Sequence, residues 1–300
     1  MLSLIIPVYN EKEAIVDTVH SVHDVLSRIG MPFEILVVND GSTDGSAEIL
    51  NNLSVQGMTV ITHPVNRGYG ASMKTALRRA KGDIVGIIDA DGTYPINDFP
   101  KLLKTMKESG ADMVVGARTK QGVQIPWVRR PAKAVVNMLA NSLTGIRIPD
   151  NNSGMRVFRR SMALEFMHLY PQGFSFTITI TLAALTSDYL VLFVPIDYFK
   201  RKGTSSMSSG FNGIRNFLTF LGLIVRIVTY FRPLQFFAWP SAILMVVGLI
   251  YAVDTLVYQD NISDASVLIL LTGLQIGLFG LLAEVVVRQC RASKFSPESY

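Results

Sequence analysis

Residues 84–95 read IVGIIDADGTYP, in which an apolar run ends at Asp89-Ala90-Asp91 and a turn begins. A short, continuous apolar run bounded by a turn is typical of a buried strand. Two carboxylates one residue apart at the end of such a strand can converge on one divalent cation, because Mg²⁺ and Mn²⁺ take oxygen ligands and bridge diphosphates. The pattern therefore favours a nucleotide-sugar site. The alternative is a solvated acidic turn, which is common at strand ends.

Apolar runs upstream of this stretch predict the strands of a parallel sheet. Residues 2–8 read LSLIIPV and residues 33–38 read FEILVV, and apolar residues recur at helical spacing over 15–26 between them. Strand, helix, strand is the order that opens a parallel sheet. The same patterns predict helices over 46–53, 69–81 and 99–108, and strands over 59–62, 112–116 and 190–196.

Polar residues follow three of these strands, namely Tyr9-Asn10-Glu11, Asp40 and Asp89-Ala90-Asp91. In open α/β sheets, ligands bind beyond the carboxyl ends of the strands. We therefore expect the three clusters to form one site.

Residues 66–70 read NRGYG and resemble half of a dinucleotide-binding glycine fingerprint. The third glycine is missing, and the segment follows the third strand rather than the first, so we expect no dinucleotide cofactor. Two interpretations stay open. The segment leads into a helix N-terminus near a diphosphate, or it is a tight turn that caps this helix.

The composition indicates a membrane protein. Only 17% of the 300 residues are charged, and the mean hydropathy of +0.33 is too high for an ordinary soluble chain. The net charge of +5 fits an anionic partner such as a membrane surface or a lipid phosphate, and no basic run with interleaved aromatics predicts nucleic-acid binding. The single cysteine, Cys290, excludes an intrachain disulfide and suits a reducing compartment. We expect no signal peptide.

Three segments together resemble the GT-A domain of glycosyltransferase family 2, namely IPVYNE at 6–11, VVNDGSTDG at 37–45 and DAD at 89–91. The resemblance implies a Rossmann-like α/β catalytic domain. It also implies that the base and ribose contact Pro7, Tyr9, Glu11 and Asp40, and that a Mg²⁺ or Mn²⁺ cofactor and the diphosphate are held by Asp89 and Asp91. Asn10 and Ala90 lie in the same motifs and complete this part of the predicted substrate site.

One residue departs from the pattern. The polyisoprenyl-phosphate branch of the family often has Gln two positions after the second Asp, where this chain has Thr93. A threonine offers a cation only a hydroxyl, so the outer ligand set is open.

Residues 150–156 read DNNSGMR, which is similar to the family's D-x-x-S-G-F-R segment. The resemblance implies that Asp150 is a general base facing the acceptor and that Ser153 contacts substrate. One alternative is that Asp150 caps a turn. If the acceptor is a phosphate monoester, its second pKa of about 6 means that no strong base is needed, and Asp150 then only positions an arginine or the acceptor oxygens.

A basic stretch separates these motifs and contains Arg118, Lys120, Arg129, Arg130 and Lys133 around Trp127. Guanidinium groups bind phosphate bidentately and Trp suits an apolar interface, so Arg118, Arg129 and Arg130 are interpreted as a clamp for a lipid phosphate. A solvated loop is the alternative.

The later segment RKGTS at 201–205 resembles the family's R-x-G-x-S, which implies that Arg201 meets the leaving diphosphate. A basic linker that faces anionic lipid is the alternative for the lysines beside Arg201.

The C-terminal part has a different pattern. Apolar residues at helical spacing over 214–231 predict an amphipathic interfacial helix. Residues 234–251 and 267–283 carry no charge, and each approaches the roughly 20 residues that span a bilayer; buried core helices are the alternative. Lys and Arg flank the outer ends but are missing from the connecting loop, so the positive-inside rule predicts a cytoplasmic catalytic domain and cytoplasmic termini.

Taken together, the motifs resemble polyisoprenyl-phosphate glycosyltransferases, the group that includes dolichol-phosphate mannose synthase. The resemblance implies inverting sugar transfer from a nucleotide sugar, UDP favoured over GDP, to a polyisoprenyl phosphate such as dolichyl phosphate, with Asp91, Asp150 and Arg201 as catalytic residues. A non-lipid glycan acceptor and a non-enzymatic membrane scaffold are the alternatives.

The predicted domains are a GT-A domain at 1–205, amphipathic interfacial helices at 206–232, a transmembrane hairpin at 233–288 and a cytoplasmic tail at 289–300. Gly273, Gly277 and Gly280 would let helices approach closely and predict homo-oligomerisation by analogy.

Overall fold

The computed structural model describes residues 1–119, 148–150, 152–173, 175–199 and 232–294, together with residues 222, 225, 229 and 230. The chain divides into two compact units, Met1–Leu221 and Gly222–Tyr300. The predicted helix over 214–231 lies almost entirely outside the described residues, as do Lys120, Trp127, Arg129, Arg130, Lys133 and Arg201.

The first unit is an α/β domain, as predicted. Its strands are β1 (Leu2–Val8), β2 (Phe33–Asn39), β3 (Met58–Thr62), β4 (Ile84–Ile87), β5 (Met113–Ala117), β6 (Arg156–Arg159) and β7 (Val191–Pro195). Its helices are α1 (Ile15–Arg28), α2 (Ser46–Asn52), α3 (Tyr69–Arg79), α4 (Phe99–Ser109), α5 (Arg160–Glu165) and α6 (Phe176–Thr186), and a 3₁₀ turn covers Ile96–Asp98.

These strands form one sheet in the order β3-β2-β1-β4-β6-β5-β7. Six of them run parallel, whereas β6 is antiparallel to both of its neighbours, β4 and β5. Strands β1 and β4 lie at the centre and are almost fully buried, which explains why their sequences are continuously apolar rather than alternating. The sequence patterns did not predict β6.

Helix α6 is buried along its whole length. Its sequence FTITITLAALT alternates threonine and apolar residues, which is the period of a strand rather than of a helix. Two of the buried hydroxyls are satisfied locally, because Thr179 and Thr181 each donate to the carbonyl four residues earlier, at 2.8 Å. Tertiary burial therefore overrides the local preference.

The first turn of α3 is closed by the chain segment 171–173. The Gly70 amide donates to the Gly173 carbonyl at 3.0 Å, and the Ala71 amide donates to the Gln172 carbonyl at 2.8 Å. These amides are the ones that would face an anion at a helix N-terminus, and the protein itself already occupies them. The structure thus favours the tight-turn interpretation of residues 66–70 over the diphosphate interpretation.

In the second unit, the described residues include two long helices, α7 (Pro233–Gln259) and α8 (Asp264–Lys294), which pack against each other. The segments Pro233–Tyr258 and Asp264–Val287 are long and apolar enough to cross a membrane. Both segments are longer than the predicted spans of 234–251 and 267–283. Helix α7, for example, continues through Asp254 to the connecting turn.

The glycines of α8 face α7 of the same chain. A Cβ added at Gly273 would meet Met245 at 3.1 Å, and one added at Gly277 would meet Ser241 at 2.8 Å. Ser241 also donates to the Gly273 carbonyl at 2.8 Å. These glycines allow close packing within the hairpin, so they do not support the predicted self-association, which stays a prediction.

We predict that Gly70→Ala destabilises the first unit. Alanine normally favours a helix by up to about 1 kcal/mol, but its Cβ here would lie 2.1 Å from the Pro171 carbonyl oxygen. Overpacking of this kind costs about 1–3 kcal/mol, so the thermal midpoint in detergent should fall by about 3–10 °C. Gly173→Ala is the matched control, since its Cβ would meet nothing within 4 Å. Equal midpoints for the two variants would contradict the prediction.

Candidate active site

The carboxyl ends of β2, β1 and β4 meet at one edge of the sheet, because these strands are neighbours and parallel. The three predicted polar clusters lie in the loops that leave this edge. Strand β6 runs the other way, so that Arg156 at its start pairs with Ile87 at the end of β4. The reversal brings the residues just before β6, including Asp150 and Ser153, to the same edge.

The first two motifs hold each other in place. The Asn10 amide donates to the Ser42 hydroxyl at 3.1 Å, and the Asn10 side-chain oxygen accepts from the Thr43 amide at 2.8 Å. The Glu11 amide donates to the Ser46 hydroxyl at 3.0 Å. Pro7 and Tyr9 are half-buried beside them. Asn10 therefore joins two loops, and the predicted contacts of these residues with the nucleotide stay predictions.

Asp40 is buried at the end of β2 and organises the loop that leads to α3. Its carboxylate accepts hydrogen bonds from the Arg67 amide at 3.0 Å and from the Gly68 amide at 2.7 Å. His63 Nδ1 lies 2.7 Å from Asp40 Oδ1, and His63 Nε2 lies 3.0 Å from the Thr75 hydroxyl. Because an ionised carboxylate only accepts, Nδ1 is the donor. Asp40 thus fixes the turn in front of α3.

Asp89 and Asp91 lie close enough for their charges to interact. Burial, and then the charge of Asp91, raises the pKa of Asp89 to about 6. Part of the Asp89 residue is accessible, but its carboxyl group is enclosed by Tyr69 and Gly154, and this enclosure causes the desolvation. The Tyr69 hydroxyl donates to Asp89 Oδ1 at 3.1 Å.

Thr93 holds the second carboxylate. Its hydroxyl and its amide both donate to Asp91 Oδ1, at 2.6 and 3.1 Å, and the side chain is almost fully buried. The hydroxyl therefore orients Asp91 from within the protein.

The pair fits a divalent cation. Mg²⁺ sites commonly use one or two carboxylates together with substrate phosphates and water, and a shared cation would neutralise the charge that Asp91 places beside the enclosed Asp89 carboxylate. In the part of the chain that the structure describes, no group of three or more His, Cys, Asp or Glu side chains could hold a metal. Asp89 and Asp91 are thus the protein ligands that would be available at this edge.

Asp150 is locked to Arg118. The guanidinium donates from Nε to Asp150 Oδ2 at 2.7 Å and from Nη2 to Oδ1 at 2.9 Å, and the Arg118 and Asn152 amides also donate to this carboxylate. Burial alone would raise the pKa of Asp150, but the bonds from Arg118 outweigh it and lower the pKa. A carboxylate with four donors and a lowered pKa is a weak base. The geometry favours the positioning role over the general-base role.

Ser153 is fully buried, and its carbonyl accepts from the Arg156 guanidinium. Arg156 is itself fully buried and also donates to the Thr177 carbonyl at 2.9 Å. These bonds tie the 150–156 segment to the start of α6. The structure thus gives Ser153 a backbone role, and its predicted substrate contact stays a prediction.

The segment after β7 returns to the site. The Phe199 amide donates to the Thr93 carbonyl at 2.8 Å. The Tyr198 ring packs against Tyr94 at 5.4 Å and lies 5.0 Å from the Arg118 guanidinium. The chain is therefore anchored beside Asp91 immediately before the residues that contain Arg201.

Sequence reasoning missed Tyr69, Tyr94 and His63 as residues of this edge. Tyr94 Oη accepts from the Gly154 amide at 2.6 Å. No local motif marks these residues, since each contacts a partner at least 20 positions away in the chain. The one available signal was their position in the loops that follow β3 and β4.

A family model described as glycosyl transferase family 2 matches residues 3–166, and a model described as GtrB C-terminal hairpin matches residues 232–288. Three curated relatives illustrate the similarity. Low-salt glycan biosynthesis hexosyltransferase Agl6 of Haloferax volcanii is 29% identical over 83% of this chain and 58% of its own length. Undecaprenyl-phosphate 4-deoxy-4-formamido-L-arabinose transferase of Enterobacter sp. strain 638 is 26% identical over 96% of this chain and 88% of its own length.

The transferase of the same name from Serratia proteamaculans is 31% identical over 57% of this chain and 53% of its own length. The chain thus spans a little more than half the length of two of these three relatives.

Solved structures show the same fold. Staphylococcus aureus TarS 1–349 in complex with UDP-GlcNAc has a TM-score of 0.55 at 20% identity and covers 76% of this chain and 66% of its own. A second match is glucosyl-3-phosphoglycerate synthase from Mycobacterium tuberculosis in complex with Mn²⁺, UDP-glucose and phosphoglyceric acid. It has a TM-score of 0.56 at 18% identity and covers 76% of this chain and 79% of its own. The likeness confirms the predicted GT-A fold.

We predict that Asp89→Asn stabilises the metal-free protein above pH 6. The folded-state pKa of Asp89 is raised from 3.8 to about 6, so the folded protein binds more protons than the unfolded chain between these values and loses stability as the pH rises. The cost is absent below about pH 4 and reaches at most about 3 kcal/mol above pH 6.

The thermal midpoint of Asp89→Asn in EDTA should therefore exceed that of the parent by about 2–6 °C at pH 7.5 and match it at pH 4. Asp83→Asn, at an exposed carboxylate, is the control and should change neither value. A lower midpoint for Asp89→Asn at pH 7.5 would contradict the electrostatic argument.

Proposed function

The chain belongs to glycosyltransferase family 2, and we therefore propose that it transfers a sugar from a nucleotide sugar to a polyisoprenyl phosphate. The observation that carries the proposal is the Asp89–Asp91 pair at the carboxyl edge of the sheet, in a chain that also contains two helices able to cross a membrane. A soluble anionic donor suits the first feature, and a lipid acceptor suits the second.

Two further findings support the lipid acceptor. The hairpin matches a GtrB C-terminal hairpin, and two of the relatives are named as undecaprenyl-phosphate transferases. The charge distribution around the hairpin supports a cytoplasmic catalytic domain with both termini on that side. The proposed division is a catalytic domain at 1–205, interfacial helices at 206–232, a hairpin at 233–288 and a tail at 289–300.

On the donor side, Asp89 and Asp91 would hold a Mg²⁺ or Mn²⁺ ion together with the diphosphate. When bound, the cation supplies Lewis-acid stabilisation of the charge that develops on the leaving group. Pro7, Tyr9, Glu11 and Asp40 would contact the base and ribose. A UDP-sugar is the favoured donor, in agreement with the solved neighbours, whose complexes contain UDP or UDP-sugars.

On the acceptor side, a phosphate oxygen attacks the anomeric carbon while the bond from that carbon to the nucleoside diphosphate breaks, which inverts the configuration. The phosphate is already largely dianionic at neutral pH, so no proton has to be removed. Asp150 would hold Arg118 in place for the acceptor phosphate, together with Arg129 and Arg130. Arg201 would meet the departing diphosphate.

Label transfer tests this function. Full-length protein in detergent should move a radiolabelled sugar, chosen from a panel of UDP- and GDP-sugars, into an organic-extractable lipid when undecaprenyl or dolichyl phosphate is added. Asp91→Asn should reduce this transfer by about 100-fold or more, the scale of a lost electrostatic stabiliser, while the variant still fractionates with membranes. Asp83→Asn is the control.

Equal transfer by Asp91→Asn and the parent would refute the site. Label that reaches only a water-soluble glycan would instead identify a non-lipid acceptor. If no sugar is transferred to either product, the scaffold alternative gains support.

The role of Asp150 has a separate test. The Asp150→Asn variant keeps an oxygen that accepts hydrogen bonds. If the role of Asp150 is to position Arg118, this variant should raise the KM for lipid phosphate by about 3- to 30-fold, with kcat changed less. A general base would behave differently, since its loss lowers kcat by about 100- to 10,000-fold. Steady-state kinetics with both substrates varied distinguish the two roles, and a fall in kcat with unchanged KM would overturn the positioning role.

A further inference from the structure

Tyr69 lies beside Asp89, one of the two carboxylates predicted to bind the cation. It is the first residue of α3, and its hydroxyl donates to Asp89 Oδ1 at 3.1 Å. Because an ionised carboxylate can only accept hydrogen bonds, the Tyr69 hydroxyl is the donor in this contact.

The backbone on either side of Tyr69 is anchored independently of Asp89. The Gly68 amide donates to Asp40 Oδ2 at 2.7 Å, and the Gly70 amide donates to the Gly173 carbonyl at 3.0 Å. Cβ atoms added at these glycines would lie within 3 Å of the backbone of 171–173, so this turn cannot shift toward that segment. The position of the Tyr69 Cα is thus set by Asp40, which follows β2, and by the segment 171–173, which precedes α6.

The ring of Tyr69 is also held by packing. It lies 6.4 Å from Phe176, and Phe176 in turn packs edge-on against Tyr170 at 4.5 Å. Because the backbone beside Tyr69 is anchored and its ring is packed, the hydroxyl has little freedom to move. Tyr69 therefore acts on Asp89 as a fixed donor, and Asp89 does not determine the position of Tyr69.

Gly154 contacts the other oxygen of the same carboxylate. A Cβ at this position would lie 2.2 Å from Asp89 Oδ2, and the Gly154 amide is fixed by its bond to Tyr94 Oη at 2.6 Å. The Asp89 carboxylate is held between the Tyr69 hydroxyl on Oδ1 and Gly154 on Oδ2. Rotation about the Asp89 Cβ–Cγ bond would break the hydrogen bond from Tyr69 and would move Oδ2 against Gly154.

We propose that Tyr69 is a positioning residue, whose hydroxyl holds Asp89 in the orientation in which Asp89 and Asp91 share a divalent cation. The inference rests on the proposed function, because it concerns the cation of that site. An oriented ligand loses less freedom when it binds, and the donated hydrogen bond reduces the negative charge that Asp89 presents to Asp91.

Tyr69→Phe removes the hydroxyl and keeps the ring. In full-length protein with UDP, Mn²⁺ binding measured by the electron paramagnetic resonance of free Mn²⁺ should weaken by about three- to tenfold, the scale of one ordinary hydrogen bond. Tyr170→Phe is the matched control. It removes a buried hydroxyl from the same aromatic cluster, one that donates to the Ala163 carbonyl at 2.8 Å and does not touch Asp89. Mn²⁺ binding to this variant should stay within about twofold of the parent.

Two further readouts separate positioning from general structural damage. Sugar transfer by Tyr69→Phe should recover when Mn²⁺ is raised to saturation, whereas damage to the fold would not be rescued. Gly154→Ala acts on the other oxygen of Asp89 and should weaken Mn²⁺ binding at least as much as Tyr69→Phe.

The possible failures are distinguishable. If the parent binds Mn²⁺ with UDP and Tyr69→Phe binds it as well as Tyr170→Phe does, the positioning role is wrong and the proposed function stands. If the parent itself shows no Mn²⁺ binding in the presence of UDP, both the proposed cation site and the role of Tyr69 are overturned.

Discussion

The burial of the Asp89 carboxylate beside the charge of Asp91 is the constraint on which the site depends. Strand β4 is buried and ends directly before them, so the two side chains leave the sheet together. Burial, and then the charge of Asp91, raises the pKa of Asp89 to about 6. Such an arrangement persists only because surrounding structure supports it. A bound cation would neutralise part of this charge and so reduce the electrostatic cost, which would favour binding of the cation.

Support for the pair comes from four separate parts of the chain. The first residue of α3 contributes the Tyr69 hydroxyl, the turn after the pair contributes the Thr93 hydroxyl, and the segment before β6 contributes Gly154. The segment after β7 is tied to Thr93 through the Phe199 amide. The antiparallel direction of β6 is essential to this convergence, because a parallel strand would carry Gly154 and Asp150 to the opposite edge.

Much of the fold was predictable because its central strands are continuously apolar and its helices have one apolar face. The predicted strands and helices from β1 to β5, and β7, agree with the structure to within about two residues at their ends. Strand β6 and helix α6 were missed for physical reasons. Strand β6 is only four residues long, which is too short to show a clear period. Helix α6 has no polar face and repeats threonine at the period of a strand, so its pattern does not predict a helix.

Residue order alone specified the α/β alternation, the acidic pair at the end of a buried strand and the two long apolar helices, since each depends on neighbours in the chain. Only the folded chain decided which groups orient the carboxylates, that Asp150 is bound to Arg118, and that the glycines of α8 face α7. These facts depend on contacts between residues 20 or more positions apart. Local periodicity reports the burial of an element, whereas the path of the chain determines which side chains meet.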